Sequence, residues 1–164
     1  MRMISTICAI ALLALAAAPP VALAGPFGLG IAAGEPTGLS AKYWTGRSQA
    51  LDWGLAWSFE GKDAFHVHMD YLWHAFRIFE VEDGSMPLYY GLGGRIKFGE
   101  SHDDLLGVRI PVGVSYIFPS RKVDLFLEAV PVFDLTPDTD LSMNAAIGVR
   151  YFFPSRRATA RTGV

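Results

Sequence analysis

Residues 106–118 read LGVRIPVGVSYIF. Leu106, Val108, Ile110, Val112, Val114, Tyr116 and Phe118 fall on the even positions; Gly107, Arg109, Pro111, Gly113, Ser115 and Ile117 fall on the odd ones. Successive side chains of a strand point to opposite faces, so a period of two over this length predicts a β-strand. The even face is apolar throughout. The odd face is mostly small and carries an arginine.

The same alternation spreads in both directions. Leu88, Tyr90, Leu92, Ile96 and Phe98 alternate with Tyr89, Gly91, Gly93, Arg95 and Lys97. Leu141, Met143, Ala145, Ile147, Val149, Tyr151 and Phe153 alternate with Ser142, Asn144, Ala146, Gly148, Arg150 and Phe152. Shorter stretches beginning at Phe27, Leu39, Leu51, Phe65 and Val123 follow suit, giving eight strands, each with one uncharged face. Turn signals separate them: GEPTG (34–38), TGRSQ (45–49), EGKD (60–63), VEDGSMP (81–87), GESHDD (99–104), FPSRK (118–122) and LTPDTD (135–140). The pattern slips between Ala75 and Glu80, where the fourth strand is expected to end. Eight strands with short connections make an antiparallel up-and-down meander, and closing it into a β-barrel removes its exposed edges.

Alternation alone does not say which face points inward. A soluble periplasmic lipocalin-like barrel would turn the apolar face inside to bind an apolar ligand; a transmembrane β-barrel would turn it out to lipid. The second face carries Lys42, Asp52, Glu60, Asp70, Arg95, Lys97, Arg109, Asp124, Glu128 and Arg150 among Gly, Ala and Ser. An eight-stranded barrel leaves just enough room for side chains inside, and these residues predict a plugged polar lumen. The apolar face carries Trp53, Trp57, Phe59, Phe65, Tyr71, Trp73, Tyr90, Phe98, Tyr116, Phe118, Tyr151 and Phe153, mostly toward strand ends. Aromatic girdles around an aliphatic band belong to a membrane barrel. The expected partner of that face is outer-membrane lipid.

The ends fit export. Residues 1–24 begin with Arg2, continue through an uncharged run and finish in Ala22-Leu23-Ala24, the layout of a cleaved signal peptide. The β-barrel is then expected over 25–153, with a short periplasmic tail at 154–164. Without the leader, 13 basic and 16 acidic residues remain and no cysteine. Such a chain has no basic excess for nucleic acid, no disulfide framework and no thiol chemistry. A monomer is expected.

One phrase occurs twice, as GVSYIFPSR (113–121) and GVRYFFPSR (148–156). With the N-terminus in the periplasm, both copies end strands returning to the periplasmic side. Gly148, Tyr151 and Phe153 resemble the final-strand signal by which bacterial outer-membrane barrels are recognised by the barrel-assembly machinery. The signal is usually terminal, whereas this chain continues to Val164. GEPTGLSAKYW (34–44), HVHMDYLWH (66–74), LYYGLGGRIKF (88–98), GVRIPVGVSYIF (107–118) and residues 125–153 carry a wider resemblance. They resemble a family of small outer-membrane β-barrel proteins of Gram-negative bacteria. The resemblance implies an OmpA/OmpX-type eight-stranded barrel and no particular activity, the family being known by fold rather than by chemistry.

Few residues invite a chemical reading. His66, His68 and Asp70 fall in a row on the predicted lumen face, with His74 beyond, and are of metal-ligating type. Positions two apart on a strand are separated by about 6.6 Å, too far to share an ion without a neighbouring strand. Membership of the lumen network is the simpler reading. Ser101-His102-Asp103 offers triad residue types, but adjacent side chains point apart. GLGGR (91–95) is followed by no helix, so it is no phosphate loop. No catalytic residue, cofactor or porin-like open channel is assigned. The expected role is structural or interactive, with a lipid-modifying barrel enzyme as the other membrane alternative.

Overall fold

The computed structural model describes residues 27–35, 37–58, 64–98, 105–136 and 139–153. The expected leader, Phe59, Glu60, the Ser101-His102-Asp103 loop and the tail from Pro154 lie outside the described residues.

The strands are β1 (Phe27–Glu35), β2 (Thr37–Trp44), β3 (Gln49–Ser58), β4 (Ala64–Phe79), β5 (Met86–Phe98), β6 (Leu105–Arg109), β7 (Val112–Ile117), β8 (Val123–Thr136) and β9 (Asp140–Phe153). Nine strands make eight crossings, because β6 and β7 are two halves of one. Both halves keep a single register against β5, from Gly93↔Arg109 to Tyr90↔Val112. The gap falls at Ile110 and Pro111; proline has no N–H to give to a ladder. The Pro111 carbonyl still accepts from Gly91 N–H at 2.9 Å, and Ile110 N–H donates to the Pro131 carbonyl at 3.0 Å.

All pairings are antiparallel, and β1 pairs with β9, closing the ring. Following partners from Gly30 leads through Ser40, Gly54, His68, Arg95, Gly107 and Asp134 to Asp140. Gly30 itself pairs with Arg150, so one circuit gains ten residues of stagger, from 140 to 150. Stagger of this kind obliges the strands to tilt, typically by about 35–45°, and sets how wide the lumen is.

The connections are tight where the sequence supplies turn chemistry. Gly34 takes a φ of 151°, favoured only for glycine, and Thr37 Oγ1 accepts from Gly34 N–H and donates to its carbonyl. At the first FPSR copy, Arg121 N–H donates to the Phe118 carbonyl at 2.7 Å, and Phe118 N–H donates to the Val123 carbonyl. β4 ends at Phe79, within the stretch where its end is expected, after a register shift between Ala75 and Phe79. β8 outruns its expected end, running beyond Pro131 to Thr136 and drawing Asp134 into the wall.

The side chains are distributed inside out. Among the described residues, thirteen buried side chains are polar or charged and ten are apolar, Pro87 and Pro111 included. Ile31, Leu127, Leu141, Met143 and Ile147 are each at least 60% exposed. The apolar face therefore looks outward, opposite to a soluble ligand-binding barrel.

Candidate functional site in the barrel lumen

Inward-facing positions are read off by alternation, and their size is set by cross-strand pairs. Large inward side chains lie over glycines directly opposite on the next strand. Phe152 faces Gly28, Phe126 faces Gly148, Tyr89 faces Gly113, His68 faces Gly54 and Asp70 faces Gly93. A Cβ added at Gly28 would stand 2.7 Å from the Phe152 ring. The glycines thus provide the seats on which the plug lies.

The plug has a charged middle layer. Arg150, 1% exposed, donates from Nε to Asp124 Oδ1 at 3.2 Å and pairs through Nη1 with Asp52. Its guanidinium carbon lies 4.0 Å from the centroid of the Phe126 ring. Lys42 is fully buried, 3.8 Å from Asp124, with its ammonium 4.8 Å from the Trp44 ring and 5.2 Å from the Tyr89 ring. Arg109 Nε donates to both Asp70 oxygens at 3.1 Å, and its Nη2 is 3.9 Å from Glu128. Tyr89 Oη donates to Glu128 at 3.0 Å. Charges withdrawn from water in this way are costly unless paired, and here three cations hold four carboxylates.

Toward the end where β1 finishes, Arg95 forms a second unit. Its Nη2 donates to Asp134 Oδ2 at 2.7 Å and to Ser142 Oγ at 3.1 Å. Asp134 was missed by the sequence reading because it falls between the last alternating residue, Pro131, and the expected turn at 135–140. Period-two continuation from Asp124 through Val130 and Val132 is the signal that could have found it. Lys97, named with the network, is half-buried opposite His66 and makes no ion pair among the described residues. Toward the end where β9 finishes, His74 lies 4.4 Å from the Trp44 ring and 5.4 Å from the Tyr89 ring.

His66, His68 and Asp70 do face the lumen in a row, but each answers to a different neighbour. Asp70 is held by Arg109, His68 covers Gly54, and His66 lies opposite Lys97. Among the described residues, no group of three or more His, Cys, Asp or Glu side chains is arranged to hold a metal ion. A cavity of about 20 Å³ remains, bordered by Ser40, Asp52, Ala56, His68, Glu128 and Asn144. That is room for a water molecule, not for an organic ligand.

The two copies of the repeated phrase have matching geometry. Gly113 and Gly148 seat Tyr89 and Phe126. Outside, Tyr116 meets Phe118 edge-on at 5.0 Å, and Tyr151 meets Phe153 edge-on at 5.3 Å. Phe153 also stacks on Phe27 across the β1–β9 seam at 6.4 Å.

A closed ring of eight antiparallel crossings, polar within and apolar without, is the small outer-membrane barrel fold of the OmpA/OmpX type. Solved structures bear this out. The N-terminal β-barrel domain of Pseudomonas aeruginosa OprF matches with a TM-score of 0.59 and 13% identity, over 79% of this chain and 98% of that one. Neisserial surface protein A (NspA) matches at 0.51 and 16%, over 79% and 94%, and the outer membrane enzyme PagL at 0.52 and 12%, over 78% and 99%. At these identities the likeness is one of fold. No protein-family model and no curated protein sequence matches the chain.

Proposed function

We propose that this chain resides in the outer membrane of a Gram-negative bacterium as a closed, non-catalytic barrel with a structural or interaction role. The observation that carries this reading is the ion-paired layer formed by Lys42, Asp52, Asp124 and Arg150. It occupies the lumen with groups already committed to one another, rather than left free for proton transfer or for lining a channel. On this reading residues 1–24 direct export, and the FPSR turns and the 154–164 tail lie in the periplasm. The final strand, with Gly148, Tyr151 and Phe153, is presented to the assembly machinery.

The test has three parts. The protein should fractionate with outer membranes and migrate differently on gels before and after boiling. Reconstituted in planar bilayers, it should give no discrete conductance steps. Membranes from cells lacking it should retain the parental lipid composition. Stepwise conductance would replace the closed reading with a channel, and an altered acyl pattern would replace it with a lipid-modifying enzyme.

A further inference from the structure

One end of β4 reaches beyond its neighbour. Pairing with β3 stops at Gln49↔Trp73, after which His74 N–H donates to the Ser48 carbonyl at 2.7 Å. No described strand flanks Ala75–Phe79 on that side. On this free edge Phe76, Ile78 and Phe79 are 37%, 52% and 39% exposed. The turn that follows carries exposed Glu80, Glu82 and Asp83, so residues 76–83 hold three acids against one base, Arg77. The platform is held in place. Ser85 and Ile117 exchange backbone hydrogen bonds at 2.9 and 2.7 Å, and Tyr116 Oη donates to the Asp83 carbonyl at 3.0 Å. A fixed strand edge with apolar side chains is a template for another strand.

β9 finishes at the same end of the barrel, because it runs in the same direction as β4. After Phe153 the sequence continues PSRRATARTGV, with Arg156, Arg157 and Arg161 and no acid. Arg157, Thr159 and Arg161 alternate with Ala158, Ala160 and Thr162, a period a strand accepts. Four strand spacings separate β9 from β4, about 19 Å across the strands at about 4.8 Å each. Phe153 lies level with Tyr71 through Phe27, Tyr43 and Leu51, so Ala75 is about 13 Å farther along the strand direction and about 23 Å away along the wall. Eleven residues extend to about 36 Å. We propose that the segment 154–164 docks along the free edge of Ala75–Phe79 as an added strand, with its arginines beside Glu80, Glu82 and Asp83. The proposal stands apart from the membrane reading, since it concerns only the folded barrel.

Disulfide trapping tests it in the full chain, refolded in detergent with Cys8→Ser. Ile78→Cys with Ala160→Cys should form an intramolecular disulfide in higher yield than Lys122→Cys with Ala160→Cys. Lys122 adjoins β9, its carbonyl accepting from Phe152 N–H at 2.7 Å, so an undocked tail would favour that control and overturn the proposal. A disulfide between two chains, with a yield that climbs with protein concentration, would overturn it too by making a second copy the occupant. Combined Glu80→Lys, Glu82→Lys and Asp83→Lys should lower the Ile78 yield roughly fivefold, from three exposed pairs. Arg156→Glu, Arg157→Glu and Arg161→Glu added to these should restore it. An unchanged yield on the first reversal rejects the charge pairing. Migration before and after boiling verifies that each variant is folded.

Discussion

Arg150 holds two lumen carboxylates, Asp52 and Asp124, and lies over the face of Phe126. Arg150→Met leaves two buried carboxylates with only Lys42 nearby. Removing one member of a buried pair is expected to cost about 3–5 kcal/mol. Urea unfolding of the reconstituted barrel, followed by the gel shift on boiling, measures it. Lys42→Met is expected to cost less. The Lys42 ammonium has a single ion pair at 3.8 Å and no hydrogen-bond partner among the described residues, and its stem is already buried beside Trp44 and Tyr89. If Arg150 and Asp124 act as one unit, a double-mutant cycle will give a coupling of about 0.5–3 kcal/mol. A cycle between Arg150 and Lys97, which belongs to neither ion-paired unit, should give none.

At the scale of the strand, the unit is a glycine and the large side chain opposite it. Gly28→Val would drive a branched side chain into the Phe152 ring, which stands 2.7 Å from the position of an added Cβ. Overpacking of this sort is expected to cost about 1–3 kcal/mol, and Phe152→Ala in the same chain should recover most of it, as read from the thermal midpoint. The inward glycines were legible from the period of two, and so was the side on which each lies. What they are for was not, because the partner of each is fixed by register across strands, and register is not written in any one strand. The same limit explains Asp134. Its parity matched the lumen, but Pro137 and Asp138 nearby read as turn and cut the strand short. The break at Pro111 went unseen for the opposite reason: alternation runs through it undisturbed, and only the ladder records the missing donor.

For the molecule as a whole, the outward face sets a dependence on depth. Val112 lies at the middle of the crossing made by β6 and β7, opposite Ala129, whereas Leu141 lies one residue from the start of β9. Val112→Arg and Ile147→Arg should therefore cost about 2–4 kcal/mol in a bilayer, and Leu141→Arg about 0–1. Lipid-vesicle refolding yields for the three variants measure this. An equal penalty at all three sites would mean that the belt is not in lipid. The closed ring was readable from the strand count and the short connections, and the outward apolar face and polar lumen from alternation taken with the residue types on each face, small and charged on one and aromatic near the strand ends on the other. Which cation holds which carboxylate was not, since that depends on the ten-residue stagger that brings Gly30 to Arg150 rather than to Asp140.

That pairing of bare and bulky positions also makes the barrel convertible. The wall does not rely on the side chains that fill it to close its hydrogen-bond ring. Where Tyr89, Phe126 and Phe152 lie flat on glycine, trimming the ring side chain bares the backbone of the seat, while Lys42, Glu128 and Arg150 stay beside it. Vacating those seats leaves the ion-paired layer of Lys42, Asp52, Asp124 and Arg150 across the middle, so a tube would need that layer removed together with the rings.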